Sequence, residues 1–287
     1  SDGSLYVLEN PGYRLLKQDA AGQPIWSVGQ AGTPGSDNGR FGDYWQGPQG
    51  TLGIDAAGRV YVPDTANHRI QVFNANGAFQ RSFGSQGVGD TQFECPSGVA
   101  INPVNQDILV VDPCNQRVQI FSNAWQYKTT LGVTGVAGSS ERHFNSPSGV
   151  AVDANGGIYV ADTNNYRVQK CALLASDYAC ATFAGERGMI SASFDHLHPV
   201  SVAVDPAGRV AVIDQRNNRV QVFDRQGNYQ TTIAGVFGPQ PGGLRQPMAA
   251  QFDQAGNLYV ADQNNHRVQR YAPGTPGQGA AVVTVPG

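Results

Sequence analysis

One short segment recurs along the chain, and its repetition limits the folds open to this protein. Each copy begins with an acid and carries an arginine five residues later. The successive arginines are 55, 48, 50, 52 and 48 residues apart, and a period near fifty residues is typical of a propeller or a solenoid. The first copy is degenerate and the other five are close matches. The acid and arginine pairs are Glu9 and Arg14, Asp64 and Arg69, Asp112 and Arg117, Asp162 and Arg167, Asp214 and Arg219, and Asp262 and Arg267.

Each period contains four short β-rich runs. In the second copy they cover 52–55, 59–62, 70–73 and 79–83, with the turn signal Asn76-Gly77 between the last two. Short runs of even spacing, separated by Gly, Asn and Asp, predict an all-β protein. Blades of four antiparallel strands repeated radially predict a β-propeller.

Six periods fill the chain, so the sequence predicts a six-bladed β-propeller in one domain. The first blade has no run at its innermost strand, which is therefore missing or supplied by a terminus. Residues 280–285 suit either the fourth strand of the last blade or insertion into the first. The predicted blades are approximately 1–48, 49–97, 98–148, 149–200, 201–248 and 249–287.

The recurrent pattern GVAVD…VYVAD…N-R-V-Q-V-F resembles the NHL repeat family over nearly the whole chain. The resemblance implies a propeller. It leaves the function open, because the family includes RNA-binding propellers of ubiquitin ligases, sensor domains of receptor kinases and a peptide-amidating lyase. A single fold hosts many functions, so the function must be argued from the site.

Charge weighs against nucleic acid as a partner. The net charge is −3, and the basic residues outside the repeat pairs are scattered without a Lys or Arg run. Nucleic acid binding calls for a concentrated basic patch. No apolar run is long enough to span a bilayer.

The four cysteines fall into two pairs within single blades. Cys171 ends a third strand and Cys180 begins the fourth strand of the same blade. Cys95 lies in the loop that enters the third blade, and Cys114 lies in the turn between the second and third strands of that same blade. Two disulfides imply an oxidising compartment, which predicts a secreted, periplasmic or cell-surface protein. The alternative is four free thiols in a cytosolic protein.

Two loops depart from the repeat. The loop before the second blade carries an insertion with Tyr44 and Trp45. These aromatics could form a binding platform, since loops often carry function. They could equally fold over the gap between blades, because large aromatic side chains are usually mostly buried.

The loop before the fifth blade contains His196 and His198, whose spacing suits a zinc or copper site if a third ligand joins them. The candidate for that ligand is His143, in the preceding entry loop. The alternative is a pair of solvated loop histidines. The lyase resemblance implies metal-binding histidines near the central channel, and only these two fit such a position. No catalytic residue is assigned, and no cofactor is expected, although zinc or calcium could bind.

The sequence therefore favours an extracytoplasmic binding or scaffolding propeller over an enzyme. Its ligand would be a protein or peptide held on the loop face, and the propeller could belong to a longer chain or assembly. The first alternative is a metal-dependent lyase-like enzyme that uses His196 and His198. RNA binding is the weaker alternative because of the charge.

Overall fold

The computed structural model describes residues 3–9, 12–42, 50–175, 177–185, 199–233, 236–273 and 281–283. Strands dominate this part of the chain, and its helices are single turns of 3₁₀ geometry. Two compact units divide the chain, residues 1–137 and residues 138–287. Within the described residues no helix is long and apolar enough to cross a membrane.

The first unit contains three sheets, each of which follows the chain order. The first sheet is β1 (Leu5–Glu9), β2 (Arg14–Gln18) and β3 (Pro24–Gly29). The second is β4 (Gly53–Ile54), β5 (Val60–Asp64), β6 (Arg69–Phe73) and β7 (Phe79–Phe83). The third is β8 (Gly98–Ile101), β9 (Ile108–Asp112), β10 (Arg117–Phe121) and β11 (Tyr127–Leu131).

The second unit contains three four-stranded sheets and a small parallel pair. The fourth blade is β12 (Pro147–Val152), β13 (Ile158–Asp162), β14 (Arg167–Leu173) and β15 (Tyr178–Ala184). The fifth is β16 (Pro199–Val204), β17 (Val210–Asp214), β18 (Arg219–Phe223) and β19 (Tyr229–Ile233). A parallel pair follows, β20 (Val236–Phe237) and β21 (Gly243–Leu244). The sixth blade is β22 (Pro247–Phe252), β23 (Leu258–Asp262), β24 (Arg267–Tyr271) and β25 (Ala281–Val283).

Strand pairing confirms the predicted fold class, a six-bladed β-propeller. All the pairs within the blades are antiparallel, as in β5 with β6, where Asp64 lies opposite Arg69. Strand β25 pairs with β24, so the end of the chain supplies the fourth strand of the last blade. Among the described residues, the first blade has three strands and no innermost strand.

A 3₁₀ turn joins the second and third strands in four blades. The residue after each turn adopts the left-handed conformation, as His68 does with φ 53°. This conformation places the following arginine at the start of the third strand, directly opposite the acid. The turns cover Thr65–Asn67, Pro113–Asn115, Thr163–Asn165 and Gln263–Asn265.

The apolar core lies between neighbouring blades within each unit. The loops that lead from the fourth strand of one blade into the first strand of the next are called lead-in loops here. Each described lead-in loop buries one large apolar side chain completely. Phe93, for example, has its ring centroid 5.9 Å from that of Phe121. The buried side chains are Phe41, Phe93, Phe144 and Leu244.

A glycine is required where the lead-in loop leaves the fourth strand. Gly84 has φ +104°, and an added Cβ would lie 2.6 Å from the ring of Phe93. It would also lie 3.0 Å from the carbonyl oxygen of His68. Gly135, in the next lead-in loop, has φ +73° but no atom within 4 Å of an added Cβ.

These two glycines make a matched test of the packing. We expect Gly135→Ala to cost about 1–2 kcal/mol, because an L residue is strained at positive φ. Gly84→Ala should cost roughly 1–3 kcal/mol more, since the methyl group also overpacks against Phe93. Urea unfolding of both variants measures the difference. Equal losses would show that the lead-in loop yields freely at Phe93.

Candidate functional site

In each blade from the second to the sixth, the second strand ends at a buried repeat aspartate. The five aspartates of the repeat are 0% exposed. One carboxylate oxygen of Asp162 accepts hydrogen bonds from Asn165 Nδ2 at 2.9 Å and Arg167 Nε at 2.8 Å. The same oxygen accepts from Gln169 Nε2 at 3.2 Å. The recurring Asn, Arg and Gln of the repeat are therefore the donors that a buried aspartate needs.

In four of these five blades the other carboxylate oxygen accepts a hydrogen bond from the backbone of a lead-in loop. Asp162 Oδ1 accepts the N–H of Asn145 at 2.7 Å, and Asp262 Oδ1 accepts that of Arg245 at 2.7 Å. Gly42 and Glu94 donate in the same way to Asp64 and Asp112, at 2.8 and 3.0 Å. In all four blades the donor follows the buried Phe or Leu, so the loop is fixed immediately after its apolar anchor.

The repeat arginines satisfy the loop carbonyls. Arg267 donates to the carbonyl oxygens of Pro239 at 2.6 Å, Gln240 at 2.9 Å and Gly243 at 2.7 Å. Its Nε lies 2.8 Å from its acid, and the six Nε–carboxylate distances range from 2.6 to 3.2 Å. In the second, third, fourth and sixth blades the acid–arginine pair thus holds loop N–H and C=O groups together.

Asp214 departs from this arrangement. Its Oδ2 accepts from Asn217 at 2.9 Å and from Arg219 Nε at 2.7 Å, but its buried Oδ1 has no hydrogen-bond partner among the described residues. Burial raises the pKa of this carboxyl above its ordinary value, although its bonds to Asn217 and Arg219 act in the opposite direction. Burial therefore disfavours the ionised form of Asp214.

Comparing Asp162→Asn with Asp214→Asn tests the value of the loop bond. We expect Asp162→Asn to lower the free energy of unfolding by about 3–5 kcal/mol, because it breaks a buried ion pair. Asp214→Asn should cost roughly 1–3 kcal/mol less, since no N–H of the described residues donates to its Oδ1. Chemical unfolding at neutral pH measures both losses, and equal losses would contradict this account.

The pH dependence of Asp214→Asn has a definite sign. When folding raises the pKa of a carboxyl, the group stabilises the fold at low pH. This contribution is lost as the pH rises from the pKa of the unfolded chain, about 3.9, through the pKa of the folded protein. The free energy of unfolding of wild type should therefore exceed that of Asp214→Asn by more near pH 4 than at pH 7. Unfolding curves across this pH range measure the difference in free energy of unfolding. A difference that grows with pH would contradict the prediction, because it would show that the fold stabilises the ionised carboxylate.

Side chains also link one blade to the next. Thr65 and Thr163 donate from Oγ1 to the carbonyl oxygens of Pro96 and Pro199, at 2.9 and 3.0 Å. His68, in the left-handed position, places Nδ1 2.5 Å from the carbonyl oxygen of Glu94. The lead-in loop is thus held by its own blade and by the preceding one.

Both predicted disulfides are present. Cys95 is joined to Cys114, and Cys171 to Cys180, with Cα–Cα distances of 5.7 and 4.0 Å. The first bond fixes the lead-in loop of the third blade to the 3₁₀ turn after Asp112, whose Oδ1 also accepts the N–H of Cys95 at 3.1 Å. This loop is therefore held both covalently and by the carboxylate.

The loop residues singled out by sequence lie outside the described residues. They are Tyr44, Trp45, His196 and His198. Among the described residues, no group of three or more His, Cys, Asp or Glu side chains could hold a metal ion. His143, the third ligand considered with the loop histidines, accepts or donates a bond at Nδ1 with Ser140 Oγ at 2.7 Å.

The fold and its recurrent acid network define the class of protein, a repeat β-propeller. The NHL repeat model matches residues 93–121, 144–171, 197–223 and 246–271. Each range contains a repeat acid and its arginine, and the first two also contain the buried Phe93 and Phe144. The chain belongs to the NHL-repeat β-propellers.

Curated relatives share this repeat at low identity. NHL repeat-containing protein 3 of Mus musculus is 27% identical over 194 residues, covering 64% of this chain and 54% of the relative. A probable peptidyl-alpha-hydroxyglycine alpha-amidating lyase of Caenorhabditis elegans is 33% identical over 133 residues, covering 46% of this chain and 37% of the relative. This chain thus spans about half of the first relative and little more than a third of the second.

A solved structure supports the fold alone. It is a structural genomics protein of unknown function from Bacteroides thetaiotaomicron, with a TM-score of 0.69 and 17% sequence identity. The match covers 95% of this chain and 67% of that chain.

Proposed function

We propose that this propeller is an extracytoplasmic binding module that takes a protein or peptide ligand on its lead-in loops. One observation carries the proposal. The described lead-in loops are fixed to their blades through backbone N–H and C=O groups, by a buried acid and its arginine. Loop side chains are therefore available for contacts outside the fold, as in proteins whose scaffold positions variable binding loops.

The two disulfides support the location outside the cytoplasm. Cytosolic thiols are kept reduced, whereas secreted, periplasmic and cell-surface proteins retain such bonds. Cys114 is exposed, so the bond that fixes the third blade's loop is open to reductants. An oxidising compartment is the setting in which this loop stays clamped.

Within this proposal, the two loops that depart from the repeat contribute most to binding. Tyr44 and Trp45 would supply aromatic anchors, the residue types that dominate binding energy at interfaces. His196 and His198 would supply contacts that change with protonation between pH 5 and 8. Neither insertion is required by a blade, and added loop length costs little free energy.

The test compares loop variants with variants at the opposite strand ends. We expect Tyr44→Ala/Trp45→Ala and His196→Ala/His198→Ala to weaken capture of ligand from extracellular or periplasmic extract by at least about tenfold, the loss of a contact worth 1.4 kcal/mol. Asn76→Ala and Gln226→Ala, which alter exposed turns between third and fourth strands, should bind like wild type. Unchanged capture by both loop variants, with loss in the turn variants, would place the site elsewhere.

A metal-dependent lyase is the second candidate. It is favoured by the similarity to the probable amidating lyase, and it would use His196 and His198 as ligands. Zinc analysis of the purified protein, with an assay for cleavage of a peptidyl-α-hydroxyglycine, separates the two functions. The lyase function would be supported, and the binding module contradicted, by stoichiometric zinc and turnover in wild type that are both lost in His196→Ala/His198→Ala.

A further inference from the structure

Three valines stand exposed on two adjacent lead-in segments of the first unit. Val88 is 62% exposed, Val133 is 38% exposed and Val136 is 48% exposed. Val88 and Val136 occupy the same place in their loops, directly after the second glycine of a Gly-x-x-Gly sequence. We call these three residues the valine patch.

Contacts with two repeat residues show that the two segments lie side by side. Arg117 Nη1 donates to the carbonyl oxygen of Val88 at 2.7 Å and to Thr134 Oγ1 at 3.3 Å. Asn115 donates from Nδ2 to the carbonyl oxygen of Gly87 at 2.9 Å, and its own carbonyl oxygen accepts the N–H of Gly135 at 2.9 Å. One guanidinium and one asparagine therefore clamp both parts of the patch.

The clamp is tighter here than in the other blades. The Arg117 side chain is 1% exposed, whereas the other repeat arginines range from 9 to 23%. The Cys95–Cys114 disulfide fixes the end of the same loop. A patch held in this way loses little conformational entropy when a ligand binds, and such preorganisation strengthens binding.

The charged residues within the two segments of the patch are acidic. In segments 84–97 and 132–137 the charged residues are Asp90 and Glu94. Asp90 is exposed, and Glu94 accepts a bond from Gln86 Nε2 at 3.1 Å. Complementary charge determines which partners a surface admits, so this surface favours cations around an apolar contact and disfavours acidic ones.

We propose that the valine patch, with Asp90 and Glu94 at its side, is a docking site for a peptide segment that carries an apolar side chain flanked by Lys or Arg. This inference rests on the proposed function, because it names the ligand class and one place of contact on the lead-in loops. It does not depend on Tyr44, Trp45, His196 or His198. A polyanion such as RNA carries the same sign of charge as Asp90 and Glu94 and would be repelled.

The probe is a displayed library of random dodecamer peptides, selected on the purified, oxidised protein. We expect enrichment of peptides with apolar residues between Lys or Arg. The Kd of an enriched peptide should rise at least about tenfold in Val88→Ser/Val136→Ser and rise with added salt, which screens exposed charges. Val104→Ser is the matched control, because Val104 is 64% exposed on the β8–β9 turn and should leave the Kd within about twofold.

Three outcomes would overturn the inference. They are failure of any peptide to enrich, enrichment of acidic or uncharged peptides, and an equal effect of Val104→Ser and Val88→Ser/Val136→Ser. If enriched peptides instead lose affinity only in Tyr44→Ala/Trp45→Ala or His196→Ala/His198→Ala, the valine patch is wrong and the loop-binding function stands. If binding is lost only in Asn76→Ala or Gln226→Ala, both are wrong. All variants alter exposed or loop side chains, and thermal unfolding checks that each is folded.

Discussion

The structure depends on a buried carboxylate that bonds in two directions. In four blades one oxygen of the repeat aspartate takes donors from its own blade, and the other takes the backbone N–H of a lead-in loop. An unpaired buried charge is costly, so neither set of donors can be lost without a large penalty. The carboxylate therefore couples the blade to the loop that precedes it. Asp214 shows the contrast, because its Oδ1 has no partner among the described residues and burial raises its pKa.

This coupling explains how the loops can vary while the blades do not. The loops are fixed through groups that every residue has, the N–H and the C=O, and through one buried apolar side chain. The side chains between these points can therefore differ from one loop to the next. The valine patch is one use of that freedom, and the insertions at Tyr44 and His196 are where the sequence differs most from the repeat. Function in such a propeller is expected on the loops because the fold leaves them available.

The sequence revealed those parts of the fold that depend on side-chain identity at fixed spacing. The offset between Asp162 and Arg167, the alternating strands and the cysteines of single blades are all of this kind. The loop bond was hidden, because its donors are backbone groups of Gly42, Glu94, Asn145 and Arg245, which share no side-chain chemistry. The left-handed residue before each arginine was hidden for the same reason. His68, Gln116, Tyr166 and Asn218 differ in type but share a φ between 51° and 59°. The sequence also could not predict that the segments of Val88 and Val136 lie side by side, because Arg117 and Asn115 bring them together through contacts between distant parts of the chain.

Amide hydrogen exchange tests the coupling most directly. The account predicts that the N–H groups of Glu94, Asn145 and Arg245 exchange as slowly as those of the buried strand β13, although all three residues lie in loops. Exchange of the Asn145 amide should become fast in Asp162→Asn while that of Arg245 stays slow, because each loop is held by its own blade. Exchange of all three amides at the rate of an unstructured peptide in the wild-type protein would contradict the central claim.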